Sequence, residues 1–396
     1  MTTGLETAKL GDLIQPAQTW NPLRSDAERV FDYIDLSAVD QDQKLITEAR
    51  QISCAEAPSR ARQIVQHGDV LVSTVRPNLN GVARVTKSLD GATASTGFCV
   101  LRAKASELDG SYLFHWVKSP VFVADMVKKA TGASYPAVSD RIIFESPIPL
   151  PPLAEQRRIA EVLDKAEALR AKRRAALAQL DSLTQSLFLD LFGDPATNPK
   201  RWPLSSLADV CSISGQYGSG VPAIEFSQSR PRYVRITDID AEGKLAAERV
   251  SPGGTSADWS DLKLETGDVV FARSGATVGK TYMYSPDDGD CVFAGYLIRF
   301  RTLPTKLLPE FLFHFTRSTA YLRWVLARQR VVAQPNINAK QYGTELSLPL
   351  PPMALQREFA RRVAAVEKLK TAQRAALAEL DSLFASLQHR AFRGEL

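Results

Sequence analysis

The stretch RSGATVGKT (273–281) comes nearest, of all the spacings in the chain, to a phosphate-binding loop. Such a loop needs a glycine, four further residues, then Gly-Lys-Ser or Gly-Lys-Thr leading into a helix. Three residues separate Gly275 from Gly279, Ser274 stands where the first glycine is needed, and the following YMYSPDDGD has no helical pattern. We therefore predict a glycine-rich hairpin whose backbone approaches a ligand closely, and not a nucleotide site.

Other side chains that could act as acids, bases or metal ligands lie in patterns typical of ordinary structure. Glu242-Gly243-Lys244 has the Glu-x-Lys spacing that a nuclease could use, but its surroundings indicate a solvated turn. His115 and His314 each follow Leu-Phe on an apolar helix, as packed core histidines do. With neither HExxH nor CxxC present, we predict no catalytic site, no metal site, and reduced thiols at Cys54, Cys99, Cys211 and Cys291.

The elements that carry these residues occur twice, about 200 residues apart. PLPPLAEQRRIA (149–160) returns as PLPPMALQREFA (349–360), and RAALAQLDSL returns as RAALAELDSL. HGDVLVSTVR (67–76) aligns with TGDVVFARSG (266–275) at an offset of 199. Because there are only two copies, the pattern indicates one duplicated unit rather than a solenoid.

Each copy begins with about 150 residues of short strands and turns and ends in one long helix. YIDLSAV, DVLVSTV and GFCVLRA read as strands in the first copy, as do YVRITDI, DVVFARS and GYLIRFR in the second. A single helical stretch follows in each copy, SYLFHWVKSPVFVADMVKK and then EFLFHFTRSTAYLRWVLARQR. After PLPP, the pattern predicts a long helix over 153–192 and again over 353–392.

The long helices have apolar residues at alternating spacings of three and four, with Arg173 and Gln373 filling one gap each. The predicted seam comprises Ile159, Val162, Ala166, Leu169, Ala176, Leu180, Leu183 and Leu187, and in the second copy Phe359, Val363, Val366, Leu369, Ala376, Leu380, Leu383 and Leu387. Such a seam predicts a coiled coil. If each helix pairs antiparallel with its twin, a pseudo-twofold axis relates the copies. Forty helical residues span about 60 Å, which would suit a protein that reads a duplex twice.

Composition sets the outer limits of the function. The 396 residues suit two to four folding units, and 44% hydrophobic with 23% charged residues is typical of a globular protein. A formal net charge of +5 permits a polyanionic partner. The N-terminal sequence lacks the pattern of a signal peptide and no window is apolar enough to span a membrane, so we expect a cytoplasmic protein without a membrane partner.

At this point the residues resemble a known family, the specificity (S) subunits of Type I restriction-modification systems. The resemblance covers the whole chain and is carried by PLPP followed by Gln-Arg at the start of each long helix, by GDV (68–70 and 267–269), by RSGATVGKT and by AQPNIN (333–338). The first copy has VRPNLNGVARV and ASYPAVS in place of the last two. The fold expected from the repeat and the resemblance is α+β, with two pseudo-twofold-related mixed α/β target-recognition domains separated by two long antiparallel coiled-coil helices.

The resemblance implies a division into target-recognition domain 1 (1–150), a central spacer helix (151–193), target-recognition domain 2 (194–348) and a C-terminal spacer helix (349–396). It further implies a non-catalytic subunit that reads a split, asymmetric sequence in double-stranded DNA. Its expected partners are two methyltransferase (M) subunits that carry S-adenosylmethionine and methylate adenine. Restriction (R) subunits using ATP and magnesium are an optional addition. The chain itself is expected to hold no cofactor.

DNA contacts call for polar and basic side chains on loops, and these concentrate in two places in each copy. The first strip follows the GDV strand: Arg76, Asn78, Asn80 and Arg84, then Arg273, Ser274, Thr277, Lys280 and Tyr282. The second strip follows the helical stretch: Lys128, Lys129, Ser134, Tyr135 and Ser139, then Arg328, Arg330, Gln334, Asn336 and Asn338. Because both strips recur at matching places, we predict that they form the DNA-binding surface.

Two rival functions are open at this point. A single-chain methyltransferase of the same pathway would show [DNS]-P-P-[YFW] by family resemblance, but the sequence has only Asn21-Pro22-Leu23, Asn198-Pro199-Lys200 and Asp194-Pro195-Ala196. SGQYGSG (214–220) lacks the spacing and the helix of a dinucleotide-binding motif. The other rival is a structural scaffold, or an orphan DNA-binding protein of the same fold without an active restriction partner. A scaffold would bind random duplexes weakly and without sequence preference.

Overall fold

The computed structural model describes residues 5–329 and 336–396. Its contacts divide the chain into two compact units, 1–175 with 374–396, and 176–373. We call these the first and the second unit. The division passes through the long helices, so each unit contains the first half of one long helix and the second half of the other.

The first unit is built on small, mainly antiparallel sheets. Its strands are β1 Thr7–Lys9, β2 Ile14–Gln15, β3 Gln18–Thr19, β4 Val30–Ile34, β5 Val39–Asp40, β6 Leu45–Ile46, β7 Arg50–Ser53, β8 Ala61–Ile64, β9 Val70–Ser73, β10 Val82–Arg84, β11 Thr93–Ser95, β12 Phe98–Ala103 and β13 Pro147–Pro149. One sheet has the order β10-β9-β12-β2, and another has the order β3-β8-β11-β4-β7, in which β11 and β4 are parallel. The strands predicted from DVLVSTV and GFCVLRA are confirmed as β9 and β12.

Helices cover one side of this unit. They are α1 Gly110–Val117, α2 Pro120–Lys129, α3 Asp140–Phe144 and the 40-residue α4 Leu153–Phe192. The prediction of a single helix from SYLFHWVKSPVFVADMVKK is wrong, because one helix ends at Val117 and a new helix begins at Pro120. Ser119 accepts a hydrogen bond from Phe122 N at 3.3 Å, and Pro120, which has no N–H, occupies the first turn of the new helix.

The second unit repeats this order of elements. Its strands are β14 Leu204–Ser206, β15 Cys211–Tyr217, β16 Ala223–Glu225, β17 Arg232–Val234, β18 Val250–Pro252, β19 Asp268–Ala272, β20 Thr281–Met283, β21 Cys291–Phe293, β22 Leu297–Thr302 and β23 Ser347–Pro349. The helices are α5 Pro309–Phe315, α6 Thr319–Gln329 and α7 Met353–Ala391. The main sheet has the order β15-β22-β19-β20. Here too the predicted single helix is divided, into α5 and α6.

The two long helices pair in the antiparallel sense within each unit, as predicted. In the first unit, Arg170 Nε lies 2.5 Å from Asp381 Oδ1. In the second unit, Lys370 Nζ lies 2.8 Å from Asp181 Oδ1 and 2.7 Å from Glu367 Oε1. Positions 170 and 370 are equivalent in the repeat, as are 181 and 381. Both units therefore use the same oppositely charged contact to set the register of the helix pair.

The predicted seam is right at most of its positions and wrong at four leucines. Ile159, Ala166, Phe359, Val363 and Val366 are buried. The adjoining leucines are exposed instead, at 51% for Leu169, 43% for Leu183, 54% for Leu369 and 51% for Leu383. The half-buried or buried positions are the next residues along: Arg170, Thr184, Lys370 and Phe384.

This shift of one residue has a physical cause. The Arg170 guanidinium lies over the Phe384 ring, 4.4 Å from its centroid, and its charge is met by Asp381. Long basic side chains can bury their stems in this way while their charges are paired. An apolar pattern alone favours the four leucines. It does not show that the charge of a basic residue is neutralised by the opposite helix.

A buried glutamine joins the start of α4 to the domain before it. Gln156 Oε1 accepts a hydrogen bond from Asp109 N at 2.9 Å, at the beginning of α1. Its Nε2 donates to Glu107 O at 3.1 Å and to Pro151 O at 2.9 Å. The side-chain amide thus satisfies backbone groups on both sides of the junction.

The second unit has the same junction. Gln356 Oε1 accepts from Leu308 N at 2.9 Å, and its Nε2 donates to Lys306 O at 3.1 Å and to Pro351 O at 2.8 Å. Gln356 is 0% exposed. The Gln-Arg that follows PLPP in both copies therefore has a structural reason, since glutamine fixes each long helix against its own domain.

We expect Gln356→Ala to destabilise the second unit, because the substitution removes the partner of the buried Pro351 carbonyl and of the partly buried Leu308 N–H. An unsatisfied buried group costs about 1–3 kcal/mol, which corresponds to a fall in melting temperature of roughly 2–12 °C. Arg357→Ala is the matched control, since Arg357 is exposed. Calorimetry that finds equal melting temperatures for the two variants would show that the amide does not fix the helix.

Candidate nucleic-acid interface

The glycine-rich segment is a hairpin, as predicted. β19 pairs with β20 in the antiparallel sense, with Val269 opposite Met283 and Phe271 opposite Thr281. The turn contains Gly275, with φ of +72°, a conformation that glycine adopts without strain. A strand follows the lysine where a phosphate-binding loop would need the N-terminus of a helix.

In the first unit the two predicted strips lie side by side. Val75 and Ala137 form an antiparallel bridge, and Arg76 N donates to Pro136 O at 2.7 Å. The Arg76 guanidinium lies over the Tyr135 ring, 4.8 Å from its centroid. The segment after β9 and the segment after α2 thus form one continuous edge.

The second unit brings its strips together in the same way. Ser274 and Asn336 form an antiparallel bridge, and Ile337 N donates to Arg273 O at 2.8 Å. Arg330, Gln334 and the first residues of AQPNIN lie outside the described residues. Where the structure describes both strips, their meeting in both units agrees with the repeat seen in the sequence.

The predicted contact residues differ in exposure. The exposed ones are Arg76, Asn78, Lys128, Lys129, Ser134, Tyr135, Ser139, Asn336 and Asn338. The half-buried ones are Asn80, Arg84, Arg273, Ser274, Thr277, Lys280 and Arg328. Tyr282 is buried at 2% exposure.

Several of the half-buried side chains are engaged inside the protein. Arg84 Nη1 donates to Ser111 Oγ at 2.9 Å, and Lys280 Nζ donates to Ile239 O at 3.0 Å. Arg328 pairs with Glu345 at 2.9 Å. These side chains fix the backbone of the strips.

Tyr282 and Asn80 also serve the scaffold. The Tyr282 hydroxyl donates to Asp288 Oδ2 at 2.7 Å, and burial, with this contact, raises the pKa of Tyr282 above its usual value. Asn80 adopts φ of +50°, and its Nδ2 donates to Lys118 O at 3.2 Å. The structure places Tyr282 beneath the hairpin and not on its surface.

Sequence reasoning did not select two exposed tyrosines of the second unit. Tyr217, at the end of β15, is 41% exposed, and Tyr296, just before β22, is 58% exposed. Arg273 lies between them, its guanidinium 5.0 Å from the Tyr217 ring centroid and 5.9 Å from that of Tyr296. Tyr217 is the last residue of β15, and Tyr296 directly precedes β22. An aromatic residue at the end of a strand was therefore the signal in the sequence that could have indicated them.

His115 lies in the core, as predicted, whereas His314 is half-buried against core aromatic residues. His115 is 0% exposed and its Nε2 lies 2.7 Å from Asp164 Oδ1 on α4; burial lowers its pKa. The His314 ring packs edge-on against Phe359 at 5.2 Å between centroids. Glu242-Gly243-Lys244 lies in a turn in which Gly243 has φ of +77°.

Three further observations concern the thiols, possible metal ligands and possible membrane spans. Cys54, Cys99, Cys211 and Cys291 are free and buried. Within residues 5–329 and 336–396, no group of three or more His, Cys, Asp or Glu is arranged to hold a metal ion. No helix in the part of the chain that the structure describes is long and apolar enough to cross a membrane.

Comparison with known proteins agrees with this arrangement. Residues 36–179 match the family described as Type I restriction modification DNA specificity domain. The chain is 24% identical over 324 residues to the Type I restriction enzyme MjaVIII specificity subunit of Methanocaldococcus jannaschii, covering 77% of this chain and 74% of that one.

Solved structures show the same similarity. A chain from a study of complex assembly and conformational transition in the type I R-M system is 27% identical, with a TM-score of 0.61 over 100% of this chain and 99% of that one. The S subunit of a Type-I restriction-modification system from M. genitalium has a TM-score of 0.60 at 12% identity, covering 99% of this chain and 97% of that one, a likeness in fold.

Two mixed α/β units that carry matching polar edges and share a pair of long helices define a duplicated DNA-recognition protein. More specifically, residues 36–179 match the Type I specificity domain and the chain is similar to specificity subunits of Type I restriction-modification systems, so the resemblance predicted from its sequence is confirmed.

The surroundings of His314 predict a particular pH dependence of stability. Burial, followed by the nearby charges of Arg317 and Lys370, lowers the pKa of His314 to about 3. Between pH 6.5 and 3 the unfolded chain therefore binds the extra proton, and this histidine makes stability fall as pH falls, by up to roughly 1.4 kcal/mol per pH unit.

We expect His314→Phe, which cannot titrate, to lose this contribution. Denaturant unfolding of wild type and variant at pH 7 and pH 5 measures it, because contributions from the carboxylates are common to both proteins and cancel in the difference. The free energy of unfolding of the wild type should fall more than that of the variant. Equal decreases would mean that folding does not lower the pKa of His314.

Proposed function

We propose that this chain is the DNA-reading subunit of a Type I restriction-modification complex, in which each unit reads one half of a split, asymmetric site. The observation that carries this proposal is the meeting of the two polar strips in both units, at Val75 with Ala137 and at Ser274 with Asn336. Exposed polar side chains on two adjacent, hydrogen-bonded segments are suited to reading base edges. The net charge of +5 favours a polyanionic partner.

The long helices supply surfaces for protein partners. Leu169 and Leu383 in the first unit, and Leu183 and Leu369 in the second, are exposed at equivalent repeat positions. Apolar side chains left outside a helix pair are typical of contact surfaces. They support the docking of two methyltransferase subunits, one on each unit, with restriction subunits as further partners.

The chemistry of the complex then belongs to those partners. In this proposal the chain is non-catalytic and works in the cytoplasm, while S-adenosylmethionine, ATP and magnesium are bound by the methyltransferase and restriction subunits. The engagement of His115 by Asp164 and the low pKa of His314, about 3, support this division, since neither histidine is poised as a general base.

If the long helices hold the two units apart, helix length should set the gap between the half-sites. Inserting four residues after Ala176 adds about 6 Å along a helix axis. With a rise of ~3.4 Å per base pair, the preferred gap should lengthen by roughly one to two base pairs while both half-sites keep their sequence.

Sequencing of methylated sites in cells that express the variant and its methyltransferase subunits reports the gap and the half-sites together. A melting curve controls for local loss of helix pairing, and the control protein carries a four-residue substitution, without insertion, at the same place. An unchanged gap, or changed half-site bases in a stably folded variant, would contradict the role of the helices as a ruler.

A further inference from the structure

The two units hold their polar edges on one and the same backbone frame. Thr74 N donates to Gly97 O at 2.9 Å in the first unit, and Arg273 N donates to Tyr296 O at 3.0 Å in the second. Each residue of the second pair lies 199 positions after its counterpart. The bridges Val75–Ala137 and Ser274–Asn336 obey the same offset. The recognition edges therefore have a common backbone, and any difference in what they read must come from side chains.

An arginine lies on this shared backbone in both units, but at different positions. Arg273 corresponds to Thr74, whose hydroxyl is buried and donates to Gly97 O at 2.9 Å. Arg76 corresponds to Gly275. Both positions have positive φ, +49° for Arg76 and +72° for Gly275. Among the described residues, the arginine that follows the central strand thus lies two positions further along in the first unit than in the second.

The second-unit arginine is held in place by aromatic rings. Its guanidinium lies 5.0 Å from the Tyr217 ring centroid and 5.9 Å from that of Tyr296. The Tyr217 ring is itself fixed, because its hydroxyl accepts a hydrogen bond from Ala339 N at 3.0 Å. Within residues 5–329 and 336–396, the buried Nε of Arg273 has no hydrogen-bond partner. The side chain is thus positioned by contact with two aromatic rings, and its Nε has no partner among the described residues.

The first-unit arginine is held in a comparable way. Its guanidinium lies 4.8 Å from the centroid of the Tyr135 ring, which is 68% exposed. Arg76 also adopts the left-handed conformation that non-glycine residues rarely occupy, and such strain persists where the surrounding structure enforces it. Three other basic residues of the strips, Arg84, Lys280 and Arg328, are engaged by partners inside the protein, while Lys128 and Lys129 are exposed at the end of α2.

We propose that Arg273 and Arg76 are the specificity-determining residues of their units and that each reads a guanine in the major groove. A guanidinium whose plane is fixed by a ring can present two parallel N–H groups, which match O6 and N7 of guanine. A phosphate contact would need charge but no fixed plane. Because the two arginines differ by two positions on a common frame, the guanine falls at a different place in each half-site. This inference rests on the proposed function.

The test uses the chain co-expressed with its methyltransferase subunits in cells that lack other adenine methylation, with the methylated sites read by sequencing. Arg273→Lys keeps the charge and removes the two-pronged donor. We expect the preference for guanine at one position of one half-site to fall roughly 10- to 100-fold. The other half-site should be unchanged, and Arg76→Lys should produce the converse.

Two further variants complete the experiment. Tyr296→Leu should relax the preference at the same base pair as Arg273→Lys, while a purely structural role would lower the melting temperature without changing the base preference. Arg249→Ala is the matched control, since Arg249 lies over Phe226 at 5.8 Å in the same unit but outside both strips. It should leave the methylated sequence unchanged.

The outcomes separate this inference from the proposed function. A guanine preference retained in Arg273→Lys overturns the assignment, and so does an even loss of methylation across all sequences in a variant that melts like the wild type, because that is the mark of a phosphate contact. If the wild-type complex methylates without any split motif, the proposed function itself fails.

Discussion

One buried side-chain amide in each unit connects the recognition domain to the long helix that follows it. Gln156 and Gln356 bridge the start of a short helix and the PLPP turn, so the axis of each long helix is fixed relative to its own sheets. The pairing of Arg170 with Asp381 in the first unit, and its counterpart in the second, then sets the register of the helices. These contacts fix the elements that carry the polar edges.

The two copies have the same backbone arrangement at their polar edges but different side chains. The backbone hydrogen bonds and bridges of the two edges coincide at an offset of 199 residues. Residues at matching positions nevertheless differ, as Arg273 does from Thr74, and Tyr296 from Gly97. A protein with this construction can recognise an asymmetric sequence with two similar domains, because side chains can diverge without disturbing the backbone that presents them.

The sequence was sufficient for the repeat, the long helices, the central strands and the hairpin, because each has a periodic or glycine-marked local pattern. It was insufficient where distant partners decide. The charge of Arg170 is acceptable between helices only because Asp381 lies opposite, so the exposed Leu169 was preferred wrongly. Tyr282 is predicted to be a surface residue because the sequence does not show that Asp288 accepts its hydroxyl. The contact between Arg273 and Tyr217 likewise joins residues that are distant in sequence.

In the proposed function, this one chain selects the DNA sequence on which its partners act. The most direct measurement is a genome-wide map of adenine methylation in the native host, before and after deletion of this gene alone. We expect one split, asymmetric motif to lose its methylation. Re-expression of the chain should restore the methylation at the same sites. Persistence of every methylated motif after deletion would contradict the account.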